Sequence, residues 1–158
     1  MTGKIQIKHL KEEDFDGLWE YASDPDATRY LTWKAYNSKE EFMNYFNNAL
    51  KKKSFPDEVL GIYLDDKIIG SVHIIQRKRN NIQFGFGIIK RLWNKGICTK
   101  VVSYSLQYTL DKWPIKNPEI WADINVNNKA AKKVIEKNGF VLEKKEVEKN
   151  RDRYSQSS

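Results

Sequence analysis

The segment RLWNKGICTKVVSYSLQ, residues 91–107, places basic, small and polar residues directly before an apolar pattern of helical spacing. The first backbone N–H groups of a helix have no partner inside the helix, and the helix dipole is positive at that end. A phosphate can accept hydrogen bonds from these N–H groups, so the segment is a candidate anion site. Gly96 has no Cβ and lets a phosphate approach the backbone, and Thr99 offers a hydroxyl donor. The small and basic residues around them are Arg91, Lys95, Cys98 and Lys100.

This segment does not match the best-known phosphate-binding loops. It lacks the GxxxxGK[ST] pattern of a P-loop and the GxGxxG pattern of a dinucleotide-binding fold. Taken alone, Asn94-Lys95-Gly96 before a helix fits an ordinary connecting loop better than a phosphate site. The phosphate interpretation therefore depends on a second pattern, at residues 128–140, which follows one further strand.

Apolar periodicity predicts the strands and helices that position these two segments. Strands are predicted at residues 4–10, 58–64, 67–76, 81–91, 118–126 and 141–147, and helices at residues 11–23, 24–31, 38–53, 96–112 and 128–140. Asp65 and Asp66 predict a hairpin between the second and third strands. Gly85 and Gly87 in the fourth strand indicate a bulge or a close backbone approach. The later strands are expected to run parallel because helices connect them.

The composition indicates one globular domain and limits the classes of function. The chain has 158 residues, a formal net charge of +7 and no apolar run long enough to span a membrane. One cysteine, Cys98, excludes an intramolecular disulfide, and the isolated His9 and His73 give no metal-ligand spacing. The single cysteine and the lack of a signal peptide predict a reducing, cytoplasmic location. Residues 1–30 carry a net charge of −3, so the basic remainder slightly favours an anionic partner over unpartnered surface charge.

Residues 91–107 and 128–140 together resemble the GNAT family of acyl-CoA-dependent N-acetyltransferases. The family's Q/R-x-x-G-x-G/A pyrophosphate loop corresponds here to Trp93-Asn94-Lys95-Gly96-Ile97-Cys98, where only the central glycine matches strictly. The aromatic first residue, with Thr99 after the last, resembles the RimJ/RimL-like ribosomal-protein N-acetyltransferase branch. The segment SDPDATRYLTW, residues 23–33, is similar to that branch's substrate-side segment. The later family signature N-x-x-[SA]-x-x-x-x-E-K-x-G-F is met by Asn128, Ala131, Glu136, Lys137, Gly139 and Phe140.

The resemblance implies a fold, a cosubstrate and a set of binding residues. The expected fold is α/β (α+β), a single GNAT-like acyl-CoA N-acyltransferase domain at residues 1–148. It contains a mixed, mostly antiparallel sheet of about six to seven strands flanked by about four to five helices. Residues 149–158 are expected to form a polar tail or a short last strand. In the family, the fourth and fifth strands splay apart and the pantetheine arm of acetyl-CoA pairs with the fourth. The residues that the resemblance assigns to acetyl-CoA are Ile88, Ile89, Arg91, Asn94, Lys95, Gly96, Ile97, Cys98, Thr99 and Asn128.

Three positions at which relatives carry acid, base or hydroxyl groups hold other residues here. Gln83 stands where many relatives have glutamate, Ala131 where serine is frequent, and Ile135 where tyrosine is frequent. Asp123, on the fifth strand, is the best remaining general base, acting directly or through water, and a purely structural carboxylate is an equal alternative. Tyr104 is a weaker candidate for the acid that protonates the leaving thiolate.

These observations predict an acetyl-CoA-dependent N-acetyltransferase that acts on a primary amine by direct attack in a ternary complex. The amine belongs to a protein N-terminus or a small molecule, and the acidic residues between positions 12 and 26 are expected to attract it. The alternative is a non-enzymatic acyl-CoA-binding sensor on the same fold. A nucleic-acid partner is not expected because no motif accompanies the positive charge. No membrane or metal partner is expected. Monomer and homodimer are both open, and a missing last strand would favour the dimer.

Overall fold

An open sheet of eight strands forms the centre of the computed structural model, which describes residues 3–31, 33–146 and 151–156. The strands are β1 Ile5–His9, β2 Lys53–Ser54, β3 Asp57–Leu64, β4 Lys67–Gln76, β5 Asn81–Ile88, β6 Glu119–Asn125, β7 Phe140–Glu146 and β8 Arg151–Gln156. They lie in the order β1-β3-β4-β5-β6-β8-β7, with the short β2 paired to β3. Among the described strands, only β5 and β6 are parallel neighbours, so the predicted mixed, mostly antiparallel sheet is confirmed.

Four helices pack on the two faces of the sheet in the described residues: α1 Phe15–Ala22, α2 Lys39–Leu50, α3 Ile97–Lys112 and α4 Lys129–Lys137. Two side chains of β3 show which helices lie on which face, because strand residues an odd number of positions apart point to opposite faces of the sheet. Tyr63 donates a hydrogen bond of 2.5 Å to Asp14 just before α1. Glu58 accepts one of 2.9 Å from the indole of Trp113 just after α3. None of the helices is long and apolar enough to cross a membrane.

Several boundaries follow directly from local sequence. The Ser38 hydroxyl accepts hydrogen bonds from the N–H groups of Glu40 and Glu41, so α2 begins where the capping pattern predicts. Asp65 and Asp66 adopt φ angles of 49° and 68° in the predicted hairpin turn between β3 and β4. Gly139, with φ of 85°, follows the end of α4 as expected.

The predicted helix at residues 24–31 is wrong, since this segment forms consecutive turns instead. The Asp24 carboxylate accepts a hydrogen bond of 2.9 Å from the N–H of Asp26, and the Thr28 hydroxyl donates to the Asp24 carbonyl. Short polar side chains that bond to the nearby backbone favour turns over continuous helix. The predicted helix at residues 38–53 is also shorter, because α2 ends at Leu50.

The end of the chain forms a real strand. β8 lies between β6 and β7 and is antiparallel to both. The strands β6 and β7, which α4 connects, therefore run in the same direction but are not paired with each other. Asp152 and Tyr154 of β8 are buried, and the Asp152 carboxylate pairs with the Lys132 ammonium at 2.8 Å. The last strand is therefore present, which removes the reason given above for a dimer. Residues 149, 150, 157 and 158 lie outside the described residues.

Candidate functional site

A gap opens in the sheet between β5 and β6. The two strands pair only at residues 81–83 and 119–121, after which residues 84–88 pair with β4 alone. The N–H of Ile89 donates a hydrogen bond of 2.9 Å to the carbonyl of Ile69, which lies on the β4 side. Because main-chain groups alternate along an antiparallel pair, Phe84, Phe86 and Ile88 direct their N–H and C=O groups toward the gap. An extended ligand could pair with this edge.

This geometry agrees with the expected splaying of the strands and corrects two details. The predicted bulge in β5 is absent, since β5 pairs with β4 in unbroken register. Ile89 is buried and its N–H bonds to Ile69, so its assignment to the ligand-pairing edge is wrong. The Ile88 carbonyl already accepts a 3.1 Å hydrogen bond from the Trp93 indole.

A first cavity of about 550 Å³ lies beside the gap, between the start of α3 and one side of α4. Gly96 precedes α3 with φ of 78°, in the left-handed region, and no side chain caps the helix. A Cβ at Gly96 would meet no atom within 4 Å, so the space beside this glycine, at the start of α3, is open. Together these features form a cradle that suits a phosphate. The predicted residues that line this cavity are Ile88, Asn94, Gly96, Ile97, Cys98, Thr99 and Asn128.

The positive charge at this cavity comes from residues that the sequence interpretation missed. Lys129, Lys133 and Lys137 all line the first cavity, because a spacing of four places them on one side of α4. In the described part of the chain no carboxylate pairs with them. The spacing of four residues between these lysines, within the segment that carries the family signature, could have indicated this basic side of α4 from the sequence.

Arg91 and Lys95, which were predicted to supply this charge, do not line the first cavity. The Arg91 guanidinium lies 3.3 Å from the Glu20 carboxylate, and Lys95 is exposed. Arg91 lies within a 3₁₀ turn at Lys90–Leu92, which the sequence analysis did not predict.

Asn128 and Cys98 have defined local roles at the first cavity. The Asn128 side chain caps α4 by accepting a 3.1 Å hydrogen bond from the Ala131 N–H, which leaves its amide donors for a ligand. Burial raises the pKa of the Cys98 thiol to about 12, so the thiol stays protonated at neutral pH. Cys98 therefore contributes shape rather than a nucleophile.

A second cavity of about 250 Å³ lies on the opposite face of the sheet, which α1 and α2 cover. Both cavities are lined by Tyr30, Leu31, Phe86, Asn128 and Ala131, so they meet at the gap between β5 and β6. Aromatic side chains form much of the second cavity's wall: Tyr21, Tyr30, Trp33 and Tyr45. The arrangement gives two compartments with one junction.

Tyr21 lies at this junction and was missed by the sequence interpretation. A Cβ at Gly87 would overlap the Tyr21 hydroxyl, so the glycine allows the close approach that its position in a strand suggested. Burial raises the pKa of Tyr21, so its hydroxyl remains a proton carrier and hydrogen-bond donor. The exposed Tyr104, the tyrosine considered from sequence, lines neither cavity.

Asp123 lines the second cavity, as does Gln83. The Asp123 carboxylate lies 3.3 Å from the Arg153 guanidinium on the neighbouring strand. Ala131 reaches both cavities, but Ile135 is fully buried in the core and lines neither. Among the described residues, Asp123 is thus the carboxylate that lines the second cavity.

The acidic residues between positions 12 and 26, which were expected to attract the amine, do not line the second cavity. None of these carboxylates lines either cavity. Asp26 pairs with Lys90 at 2.7 Å and Glu20 with Arg91, while Asp14 bonds to Tyr63. Glu20 and Asp26 are thus paired with basic residues just before α3.

The family model described as "Acetyltransferase (GNAT) domain" matches residues 4–141. The chain belongs to the GNAT acetyltransferase family. The predicted family and the acetyltransferase class are thereby confirmed, while the RimJ/RimL branch is not. The two segments at residues 91–107 and 128–140 were sufficient to identify this GNAT domain from sequence.

Similar proteins extend this result to the fold. The chain is 23% identical over 112 residues to "Uncharacterized N-acetyltransferase p20" of Bacillus licheniformis, a match that spans 68% of this chain and 63% of the relative. The spermidine N-acetyltransferase of Vibrio cholerae, solved with CoA and spermine, is 19% identical with a TM-score of 0.80, covering 96% of this chain and 92% of that one. RimL, a ribosomal L7/L12 alpha-N-protein acetyltransferase, is 14% identical with a TM-score of 0.82, covering 96% and 89% of the two chains.

Proposed function

We propose that this GNAT protein transfers an acetyl group from acetyl-CoA to a primary amine, and that the two substrates meet at the gap between β5 and β6. One observation carries the proposal: cavities on opposite faces of the sheet share a junction, where five residues line both. A cosubstrate and an acceptor that enter from opposite faces can meet there without competing for space. Holding two reactants in this way supplies much of the rate in direct transfer.

The first cavity is assigned to acetyl-CoA, which supplies the acetyl thioester. The N–H groups of residues 97–99 and the open space at Gly96 suit the diphosphate, and the three lysines of α4 suit phosphate charge. The inward-facing backbone of Phe86 and Ile88 suits an extended, amide-containing arm. A Vibrio cholerae relative of the same fold was solved with CoA, which supports this assignment.

The second cavity is assigned to the amine. Asp123 is the group proposed to take the amine proton, directly or through water, since it is the carboxylate lining this cavity. The Tyr21 hydroxyl, held protonated by burial, is proposed to donate a proton or hydrogen bond toward the departing sulfur. A protein N-terminus, as in the RimJ/RimL branch, and a small-molecule amine are both compatible with acetyl transfer at this junction.

The test measures thiol release from acetyl-CoA with a panel of primary amines. Asp123→Asn is expected to lower kcat by roughly 100- to 10,000-fold, the usual contribution of a general base, while CoA binding stays unchanged. Asp111→Asn is the matched control, because Asp111 is exposed on α3 and bonds only to Gln107 among the described residues. Tight CoA binding without turnover of any amine would instead support the acyl-CoA sensor.

A further inference from the structure

The second cavity is lined by an arginine, Arg151, that forms no salt bridge in the described residues, and the nearby Asp123 carboxylate offsets only part of the effect of its burial. Arg151 of β8 donates 3.0 Å hydrogen bonds to two neutral acceptors, the backbone carbonyls of Tyr30 and Asp123. Its Nε is buried and has no hydrogen-bond partner. Burial also lowers the pKa of Arg151, because removing the cation from water disfavours the charged form. The guanidinium is therefore a partly buried cation beside the cavity, and its hydrogen bonds go to neutral carbonyl groups.

A second arginine lies on the same cavity. Arg77 follows β4 and is exposed, and its Nε donates a 2.7 Å hydrogen bond to the neutral side-chain oxygen of Gln83. No carboxylate of the described chain pairs with it. Arg77 and Arg151 come from segments that are far apart in sequence, yet both line the second cavity.

The other charged groups around the second cavity are largely balanced. The Asp123 carboxylate lies beside Arg153, at 3.3 Å. His73 bonds to Asp57 at 2.5 Å, and Asp57 also pairs with Lys52. The two arginines described above therefore give the cavity a surplus of positive charge. A partly buried charge without a counter-ion is unfavourable, and an anionic ligand group would relieve it.

We propose that the acceptor is a small amine that also carries an anionic group, a carboxylate or a phosphate, which Arg151 and Arg77 bind. The proposal rests on the acetyl-transfer function given above. The planar guanidinium matches the geometry of both anions with paired N–H donors. With the anion at the arginines, the amine of the same molecule can lie near Asp123 at the junction. The aromatic wall then packs against the body that connects the two groups.

Size and charge favour an amino-acid-like acceptor over a polyamine. The volume of about 250 Å³ lies below the usual range of roughly 300–1,000 Å³ for pockets that hold drug-sized molecules. A polyamine carries only positive charge and would meet two unpaired arginines. An amino acid or an aminoalkyl phosphate carries the amine and the anion within one small molecule.

The experiment compares matched acceptors that differ only in the anion. L-phenylalanine is paired with 2-phenylethylamine, and 2-aminoethyl phosphate with ethanolamine, so the two pairs separate carboxylate from phosphate recognition. The expected result is a kcat/KM roughly 10- to 100-fold higher for the anionic member of at least one pair, the range of a charge-assisted hydrogen bond. Arg151→Gln and Arg77→Gln are expected to remove this preference mainly by raising KM.

Lys78→Gln is the matched control, because Lys78 neighbours Arg77, carries the same charge and lines neither cavity. Its preference for the anionic acceptor should equal that of the unmodified protein. Arg77 is exposed, so Arg77→Gln is expected to fold even if the substitution at Arg151 destabilises β8.

Calorimetric binding of the same four molecules to the CoA-saturated protein separates this proposal from the proposed function. Selective binding of the anionic members, lost in Arg151→Gln or Arg77→Gln, supports the anion site even if no acetyl group is transferred. Equal binding and equal turnover of both members of each pair, unchanged in both variants, would overturn the anion site and leave acetyl transfer standing.

Discussion

Gly96 offers the sharpest test of the phosphate cradle at the start of α3. Its φ of 78° lies in the left-handed region, and a Cβ there would meet no atom within 4 Å. Gly96→Ala therefore costs the free protein only backbone strain, about 1–2 kcal/mol. For a chain of this length, that cost corresponds to a Tm decrease of roughly 2–8 °C.

The same substitution should weaken CoA binding much more than it affects folding. The added methyl group would occupy open space at the start of α3, where the diphosphate is proposed to bind. Loss of a hydrogen bond to a charged group costs about 1.5–3 kcal/mol, so the Kd for CoA should rise roughly 10- to 150-fold. Titration calorimetry with CoA measures this directly, and Gly96→Val is expected to show a larger effect.

Gly139 provides the matched control within the same chain. It also has a left-handed φ, 85°, but it lines neither cavity. A Cβ there would lie 3.3 Å from the flexible end of the Gln156 side chain, so Gly139→Ala tests mainly the same backbone strain. It should lower the Tm by a similar amount and leave the Kd for CoA unchanged. A folded Gly96→Ala variant that binds CoA as tightly as the unmodified protein would refute the phosphate cradle.

Three further predictions concern other parts of the two cavities. The double variant Lys133→Gln, Lys137→Gln should bind CoA more weakly, and its affinity for CoA should depend less on salt concentration. Calorimetry at several ionic strengths measures both effects. An unchanged salt dependence would contradict contact of these lysines with phosphate. Burial raises the pKa of the Cys98 thiol from 9.0 to about 12. At pH 8, iodoacetamide should therefore alkylate the folded protein roughly a thousandfold more slowly than the urea-unfolded chain, and the rate for the folded protein should rise with pH toward 12. Equal rates for the folded and unfolded chains would contradict burial of the thiol. Gly87→Ala should lower Tm and acetyl transfer because its Cβ overlaps the Tyr21 hydroxyl. The double variant with Tyr21→Phe should recover only part of the Tm, since two ring carbons remain at 2.8 and 3.0 Å from that Cβ, and should not recover acetyl transfer. Recovery of acetyl transfer would contradict a catalytic contribution from the hydroxyl.

Local sequence patterns predicted most of the secondary structure correctly. Ser38 marks the start of α2, and the Asp65-Asp66 pair marks the turn between β3 and β4, because each feature depends on hydrogen bonds or φ angles within a few residues. The pattern failed at residues 24–31, where helix and turn compete for the same local groups. Side-chain bonds from Asp24 and Thr28 decided that competition in favour of turns.

Some residues assigned from sequence to the first cavity were placed correctly and others were not. Gly96 and Asn128 were assigned from their positions in the two segments that resemble the family, and the structure places both beside that cavity. Arg91 and Lys95 were assigned because they neighbour Gly96 in the loop segment, but neither lines that cavity, and Arg91 pairs with Glu20. The charge pattern does not encode the turn before α3, in which Arg91 lies.

The sequence by itself determined the family, the helix start with its glycine, and the alternation of strands and helices. Those features depend on hydrogen bonds and periodicities within short segments, so neighbouring residues are sufficient to specify them. Only the tertiary structure decided that β8 lies between β6 and β7, and that Tyr21, Asp123 and Arg151 meet around one cavity. The bond from Arg151 to the Tyr30 carbonyl joins residues 121 positions apart. Such contacts follow from the packing of the whole core, because no local pattern specifies which distant segments will be neighbours.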